Sequence, residues 1–464
     1  MAERKTWAVL HYLVAVTGDE PAKGDPDADE RLRKTADEEI NAIVAAARAL
    51  LPTMHVAFQV EHWTVGNDGK PRQPRAARRV KVTPVTDAPI EEKVAPLIAA
   101  NGHARRADDL QAFFDWTQKP ASPGHSPADH IAVFFWGHSA GPAGIFDLVD
   151  GSEPAAPTLL QSAASFMFDK LGTMRGGRAG QFFATVALPQ LTGAFTAFGE
   201  QQCDLVVFKD CWMSTGEVAC ELAGHVSAVI GSQSQVPIQG VWPYGILYQS
   251  LADLPTTTGP TAAAGFKPFF ETFVSLYKDK ETRGPLTATS PPEPSFPSVP
   301  FSLLDLDKAL AIRGPLGALV AAIRKSSLTS EQQACKKRIF DEASTGFLPK
   351  FAGDIALVDV LRLCNGLEQC GVAVPQAKAV KNAVEQIVVI SDSVPGAPNC
   401  RGFSLFYHPS PERIAQTPDE TVTAAGAFEN KFVMNAVDAN AYSNLRLNKG
   451  LLESWFDIAF EQIT

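Results

Sequence analysis

Apolar residues run almost unbroken through Ala8–Val16, Ile131–Trp136, Leu205–Phe208 and Val226–Ile230. Short runs of this kind suit strands covered on both faces, as in a parallel sheet. Between the first two runs, Leu32, Ala36, Ile40, Ile43, Val44, Ala47 and Leu50 recur at helical spacing and predict a helix over 29–51. His55–Val60 is a further strand, and Trp63–Val82 reads as a hairpin about Asn67-Asp68-Gly69. Helices follow over 107–118, carrying Leu110, Phe113 and Phe114, and over 188–199, with a long irregular stretch at 142–186. Strand and helix alternate, so the expected fold class is α/β: an α/β/α sandwich about a mainly parallel central sheet. The proline-rich stretch 285–300 is an extended connector, since proline fixes φ and lacks a backbone donor. Beyond it helices dominate, over 306–325, 329–344, 354–370, 375–389 and 450–462, with one clear strand at Phe403–Tyr407. The expected organisation is a sandwich domain over 1–284 with a hairpin insertion at 62–84, the connector, and a mostly helical region over 301–464 packed on it.

Composition narrows the function classes. The 464 residues carry a net charge of -10, which argues against nucleic acid as a partner, because a polyanion needs a basic footprint. The longest apolar runs fall short of the ~18 residues that a membrane span requires. Trp7–Val16 follows Arg4 and Lys5 but contains His11 and Tyr12 and lacks a small-residue cleavage site, so it reads as a strand, not a signal peptide. The seven cysteines are odd in number and none has CxxC spacing. That suits a reducing compartment better than a disulfide scaffold or zinc site, and the expected location is cytoplasmic.

Two segments offer catalytic chemistry. Gly137-His138-Ser139-Ala140-Gly141 follows an apolar strand and matches the GxSxG nucleophile elbow of serine hydrolases. The elbow needs a helix directly after the serine, whereas here Pro142, Gly141 and Gly144 disfavour one. The second is Phe208-Lys209-Asp210-Cys211-Trp212-Met213-Ser214, in which Cys211 lies just past an apolar strand. Ser214-Thr215-Gly216-Glu217 fits a capping box opening a helix, and the positive end of a helix favours a thiolate. His138 also lies just past an apolar strand. Were the two strands neighbours, both side chains would emerge at the C-terminal edge of the sheet, where catalytic groups gather in open α/β folds. The alternative for Cys211 is a small buried hydrophobe.

The chain resembles the clostripain family of caspase-like cysteine peptidases. The resemblance is carried by Lys5-Thr6-Trp7-Ala8-Val9-Leu10-His11-Tyr12, by His130 through His138, by Asp204 through Ser214 with Glu217-Val218-Ala219, by Gly231-Ser232-Gln233 with Trp242-Pro243-Tyr244, and by Gly402 through Tyr407. It implies a caspase-like fold and a cysteine endopeptidase in which Cys211 attacks the scissile carbonyl, His138 protonates the leaving amine and a thioester acyl-enzyme is hydrolysed. The backbone amides of Ser139 and Cys211 would form the oxyanion hole. Lys209, Asp210, Ser232, Gln233 and Trp242 would fall at the substrate pocket. The implied partner is a protein or peptide substrate; a regulatory protein partner also fits, and no cofactor is expected. Calcium serves some relatives, but the spacing of Asp147, Asp150 and Glu153 matches no calcium loop.

The chain departs from the family where specificity is set. Relatives cleave after Arg or Lys and carry an Asp two residues before the nucleophile; here that residue is Lys209. A buried lysine repels a basic side chain, so a neutral or acidic P1 residue is expected over a basic one. Alternatively, Lys209 points to solvent or pairs with Asp210, leaving a neutral pocket. Ser139 stands where relatives have glycine, which keeps the amide and tightens the site. Self-cleavage at Lys170, Arg175 or Arg178 is doubtful if the pocket is not acidic. A catalytically silent scaffold and the GxSxG serine hydrolase are the other two functions weighed.

Overall fold

The structure, a computed structural model, describes residues 7–15, 26–50, 53–65, 71–83, 87, 89–94, 105–118, 128–139, 141, 145–150, 181–233, 236, 241–254, 263–278, 300–325, 327–343, 357–392, 401–407 and 442–459. The strands in chain order are β1 (Trp7–Ala15), β2 (Met54–Val65), β3 (Pro71–Lys81), β4 (Ile90–Val94), β5 (His130–Trp136), β6 (His138–Ser139), β7 (Ile145–Asp150), β8 (Gln181–Val186), β9 (Cys203–Lys209), β10 (Val226–Ser232), β11 (Phe301–Asp305), β12 (Leu357–Asp359), β13 (Val388–Ser391) and β14 (Ser404–Phe406). The helices are α1 (Pro26–Leu50), α2 (Arg105–Gln118), α3 (Leu188–Ala194), α4 (Gly216–Leu222), α5 (Tyr244–Ala252), α6 (Lys267–Lys278), α7 (Arg313–Lys325), α8 (Ser330–Ala343), α9 (Val360–Gln369), α10 (Val374–Ile387) and α11 (Trp455–Ala459).

Among the described residues, nine strands form one sheet in the order β13-β11-β10-β9-β5-β1-β2-β3-β4. Its centre, β10-β9-β5-β1-β2, is parallel, and β3, β4, β11 and β13 join antiparallel. The apolar runs β5, β9 and β10 are buried at every position, because each is covered on both faces. One face packs on α1, α5 and α6; the other packs on α2, α3, α4 and the helices α7, α9 and α10. This is the expected α/β/α sandwich. The expected hairpin is present as the antiparallel pair β2 and β3; its tip at 67–69 lies outside the described residues.

Several elements differ from the sequence expectation. The stretch 142–186 is not irregular throughout: β7 and β8 pair antiparallel from Ile145↔Val186 to Asp150↔Gln181, and β6 pairs with β7. Lys170, Arg175, Arg178 and Glu153 lie outside the described residues, as does most of the 285–300 connector. Residues beyond 300 are not only helical, since β11 and β13 extend the main sheet. The helix expected at 354–370 is the strand β12 followed by α9, and β12 pairs with β14.

The cysteine reading is corrected as well. Cys335 on α8 and Cys370 at the end of α9 form a disulfide; among the described residues Cys203, Cys211, Cys220 and Cys364 are buried and not disulfide-bonded, and Cys400 lies outside them. Spacing along the chain carried no sign of this bond; helix packing brings its Cα atoms to 6.0 Å. No helix among the described residues is long and apolar enough to cross a membrane.

Candidate active site

β5 and β9 are adjacent and parallel, in the register Phe134↔Val207, Phe135↔Phe208 and Trp136↔Lys209. His138 and Cys211 each follow the Trp136/Lys209 pair by two residues, so both leave the sheet at the same C-terminal edge. After Gly137 the chain turns off as β6, placing the His138 backbone opposite Phe146 and Ser139 opposite Ile145.

Cys211 sits in a tight turn. Trp212 after it has φ 56, the left-handed region that a bulky residue rarely adopts. Strain of this kind is held only where surrounding packing over-determines the backbone. Here Trp212 and Met213 are buried in the core below α4, and Gly141 lies directly against the turn. A Cβ at Gly141 would sit 2.7 Å from the Trp212 carbonyl oxygen, so only glycine permits the approach. Cys211 is 9% exposed, and its thiol accepts from the Val236 amide at 3.3 Å.

Ser139 is buried, and its hydroxyl donates to the Cys211 carbonyl at 2.5 Å. The residue after Cys211's expected partner is thereby tied to the Cys211 turn. The next described element after the GxSxG segment is the strand β7.

Helix α4 is capped one residue later than expected: Thr215, not Ser214, accepts from the Val218 amide at 3.3 Å. Glu217 does not close a capping box. Its carboxylate accepts from the Phe406 amide at 2.8 Å and from the Tyr442 hydroxyl, tying the chain's last described segment to α4.

Lys209 is fully buried on the α1 face. Its ammonium pairs with Glu39 of α1 and lies 5.0 Å from the centre of the Trp242 ring. Burial pulls Lys209 below its usual range, with Glu39 opposing. Tyr244 hydrogen-bonds to Glu39 from α5. Trp242 itself is 5% exposed and packs on Phe273 at 4.9 Å. Asp210 points elsewhere. Its carboxyl is buried beside the Gly137 backbone, and burial pushes it up to about 7.

Ser232 and Gln233 are both fully buried. The Ser232 carbonyl accepts from the Ser214 amide at 2.9 Å, and the Gln233 side chain is held by Asp359, Ser404 and Gly402. Glu39 and Asp359 were not singled out from the sequence. Asp147 and Asp150 lie on β7 and their side chains are not described; among the described residues no cluster of three His, Cys, Asp or Glu is placed to hold a metal.

The model of the clostripain family of peptidases matches residues 181–339, the stretch that holds β9, the Cys211 turn and β10. Over this segment, about a third of the chain, the protein is similar to the clostripain family. The chain is accordingly a cysteine-type peptidase, as the resemblance along its sequence implies. Solved structures share the fold. A secreted cysteine protease from Bacteroides thetaiotaomicron, in complex with an irreversible peptide inhibitor, is 14% identical with a TM-score of 0.52, over 95% of this chain and 99% of its own. An inactive zymogen protease from Parabacteroides distasonis is 15% identical with a TM-score of 0.53, over 96% and 98%. A structure of the secreted Bacteroides thetaiotaomicron cysteine protease iotapain is 14% identical with a TM-score of 0.53, over 92% and 99%. No curated protein matches the chain. The cytoplasmic placement drawn from cysteine spacing is overturned, since two of these structural neighbours are described as secreted and the chain carries the Cys335–Cys370 disulfide.

Proposed function

We propose that the protein is a cysteine endopeptidase of protein or peptide substrates in which Cys211 is the nucleophile and His138 the proton carrier. The observation that carries this is the parallel pairing of β5 and β9 in the register Trp136↔Lys209, which delivers both residues to one sheet edge. The Cys211 thiolate attacks the scissile carbonyl, the tetrahedral intermediate collapses as His138 protonates the leaving amine, and water hydrolyses the thioester. The backbone amides of Ser139 and Cys211 supply the oxyanion donors. The test is labelling by a peptide acyloxymethyl ketone, alongside cleavage of a denatured protein. Cys211→Ala and His138→Ala abolish cleavage, and Cys211→Ala also abolishes labelling. Cleavage that survives both substitutions sinks the proposal.

The preferred P1 residue is uncharged. Support comes from Lys209, whose charge is matched by Glu39 instead of facing an open pocket. A compensated pair offers no net counter-charge to an arginine, lysine or aspartate side chain. A P1-varied fluorogenic peptide library tests this, and cleavage fastest after arginine defeats it. The disulfide supports work in an oxidising compartment.

A further inference from the structure

Three chain segments meet behind the Cys211 turn. The Ser214 amide donates to the Ser232 carbonyl at 2.9 Å, the Ser404 amide donates to the Ser214 carbonyl at 3.2 Å, and the Ser214 hydroxyl donates to the Gly402 carbonyl at 2.7 Å. Gln233 locks the same junction. Its Oε1 accepts from the Gly402 amide at 2.5 Å, and its Nε2 donates to Ser404 Oγ at 2.6 Å and to Asp359 Oδ2 at 3.0 Å. Asp359 is fully buried, and its carboxylate also accepts from the Arg401 amide at 2.6 Å and, as the cap of α9, from the Arg362 amide at 2.9 Å. Gly402 has φ +101, and a Cβ there would meet Ser391 Cβ at 2.9 Å, so its backbone is held in a conformation reserved for glycine.

We infer that Asp359 is a positioning residue for the nucleophile: acting through Gln233, it fixes the end of β10 and the Cys211–Ser214 turn packed against it. The inference rests on the peptidase reading above. A glutamine amide fits its cavity in either of two flips, and the hydrogen-bond partners decide between them. An ionised carboxylate only accepts, so Asp359 turns Nε2 toward itself and Oε1 toward the Gly402 amide. With Gly402 so held, its carbonyl is in place for Ser214, three residues after Cys211. An asparagine at 359 still caps α9 through its oxygen. Its amide group then faces two donors, the Gln233 amide and the Arg401 N–H, and the order of the junction is lost.

Protonation does the same as the asparagine. Burial pushes the Asp359 carboxyl up to about 6, opposed by its bonds to Gln233, Arg362 and Arg401. The charged or titratable groups facing it are Arg401 and the Cys364 thiol of its own helix; Gln233 and Ser404 carry no charge. The wild-type kcat therefore carries an acid limb near pH 6 from this group.

The test compares hydrolysis of a P1-varied fluorogenic peptide library by wild type, Asp359→Asn, and the double variant Asp359→Asn/Gln233→Glu, with Cys211→Ala as the blank. Asp359→Asn lowers kcat about tenfold with KM little changed, as loss of a bond to a charged group predicts, and removes the acid limb near pH 6. The double variant exchanges donor and acceptor across the Gln233 contact and recovers part of the kcat, because the Arg401 N–H still faces the amide at position 359. A folded Asp359→Asn with wild-type kcat and its acid limb intact overturns the inference, as does a loss that the Gln233→Glu partner fails to recover. Should Asp359→Asn not fold, Gln233→Glu alone serves: two carboxylates then share the contact, and the acid limb moves to higher pH. An unmoved limb overturns the inference. Activity that survives Cys211→Ala sinks the peptidase reading and this inference together, while activity lost in Cys211→Ala but unmoved by Asp359→Asn sinks this inference alone.

Discussion

The Ser139 hydroxyl donates to the Cys211 carbonyl at 2.5 Å, joining the loop after β5 to the turn after β9. The bond is buried and links the segments that follow the two adjacent strands leading to the proposed dyad. Ser139→Ala removes it and leaves the proposed oxyanion amide at 139 in place. The expected result is a folded enzyme in which kcat falls by about fivefold to tenfold, the value of one buried neutral hydrogen bond, while Cys211 is still labelled by a peptide electrophile. Complete loss of turnover, with labelling moved to Ser139 in the wild type, would instead reveal a serine hydrolase.

Glu39 and Lys209 form a pair that water cannot screen, because their side chains are 0% and 2% exposed. Removing one partner strands a charge in the core. Glu39→Gln is expected to destabilise the fold by about 3–5 kcal/mol, measured by urea unfolding, whereas the double change Glu39→Leu/Lys209→Met costs much less because no charge is left behind. Equal losses in the single and double variants would contradict a compensated pair.

Asp210 makes stability depend on pH. Its carboxyl is pushed up to about 7 in the folded state, above the ordinary value of 3.8. The folded chain therefore holds a proton that the unfolded chain releases, so the stabilisation is complete below about pH 4 and disappears as pH rises through about 7. Thermal melts over that window are expected to fall more steeply for wild type than for Asp210→Asn. Parallel curves would refute the assignment.

The Cys335–Cys370 bond spans 35 residues and clamps α8 to α9. Closing a loop of that length stabilises a chain by about 3–4 kcal/mol through the unfolded state. Reduction with a thiol reagent, or the pair Cys335→Ser/Cys370→Ser, is expected to lower the free energy of unfolding by that much, seen as a lower unfolding midpoint. An identical midpoint in oxidised and reduced protein would show that the bond is not formed in solution.

Much of the fold was legible because its signals are local. The unbroken apolar runs of β5, β9 and β10 mark strands buried on both faces, and they place Cys211 and His138 at strand ends before any pairing is known. What escaped was tertiary. Val388–Ser391 continues the apolar run of α10, and periodicity cannot separate a helix end from a strand in such a run. Glu39 carried a sign that went unread: it shares the buried stripe of Ala36, Ile40 and Ile43, a position where a carboxylate requires a partner. Nothing near Asp359 in sequence announces Gln233, which lies 126 residues earlier.

The two strands that complete the sheet on the β10 side, β11 and β13, come from residues 301–305 and 388–391. During synthesis, β10 leaves the ribosome long before either partner exists. A nascent chain that has collapsed around β5, β9 and β10 carries an apolar, unpaired sheet edge, the kind that recruits other chains. Gly402 and Asp359, which the Cys211 turn also needs, emerge later than β11. Assembly of the proposed active site thus comes at the end of folding, and a fragment that stops at the proline-rich connector is expected to be inert and prone to aggregate.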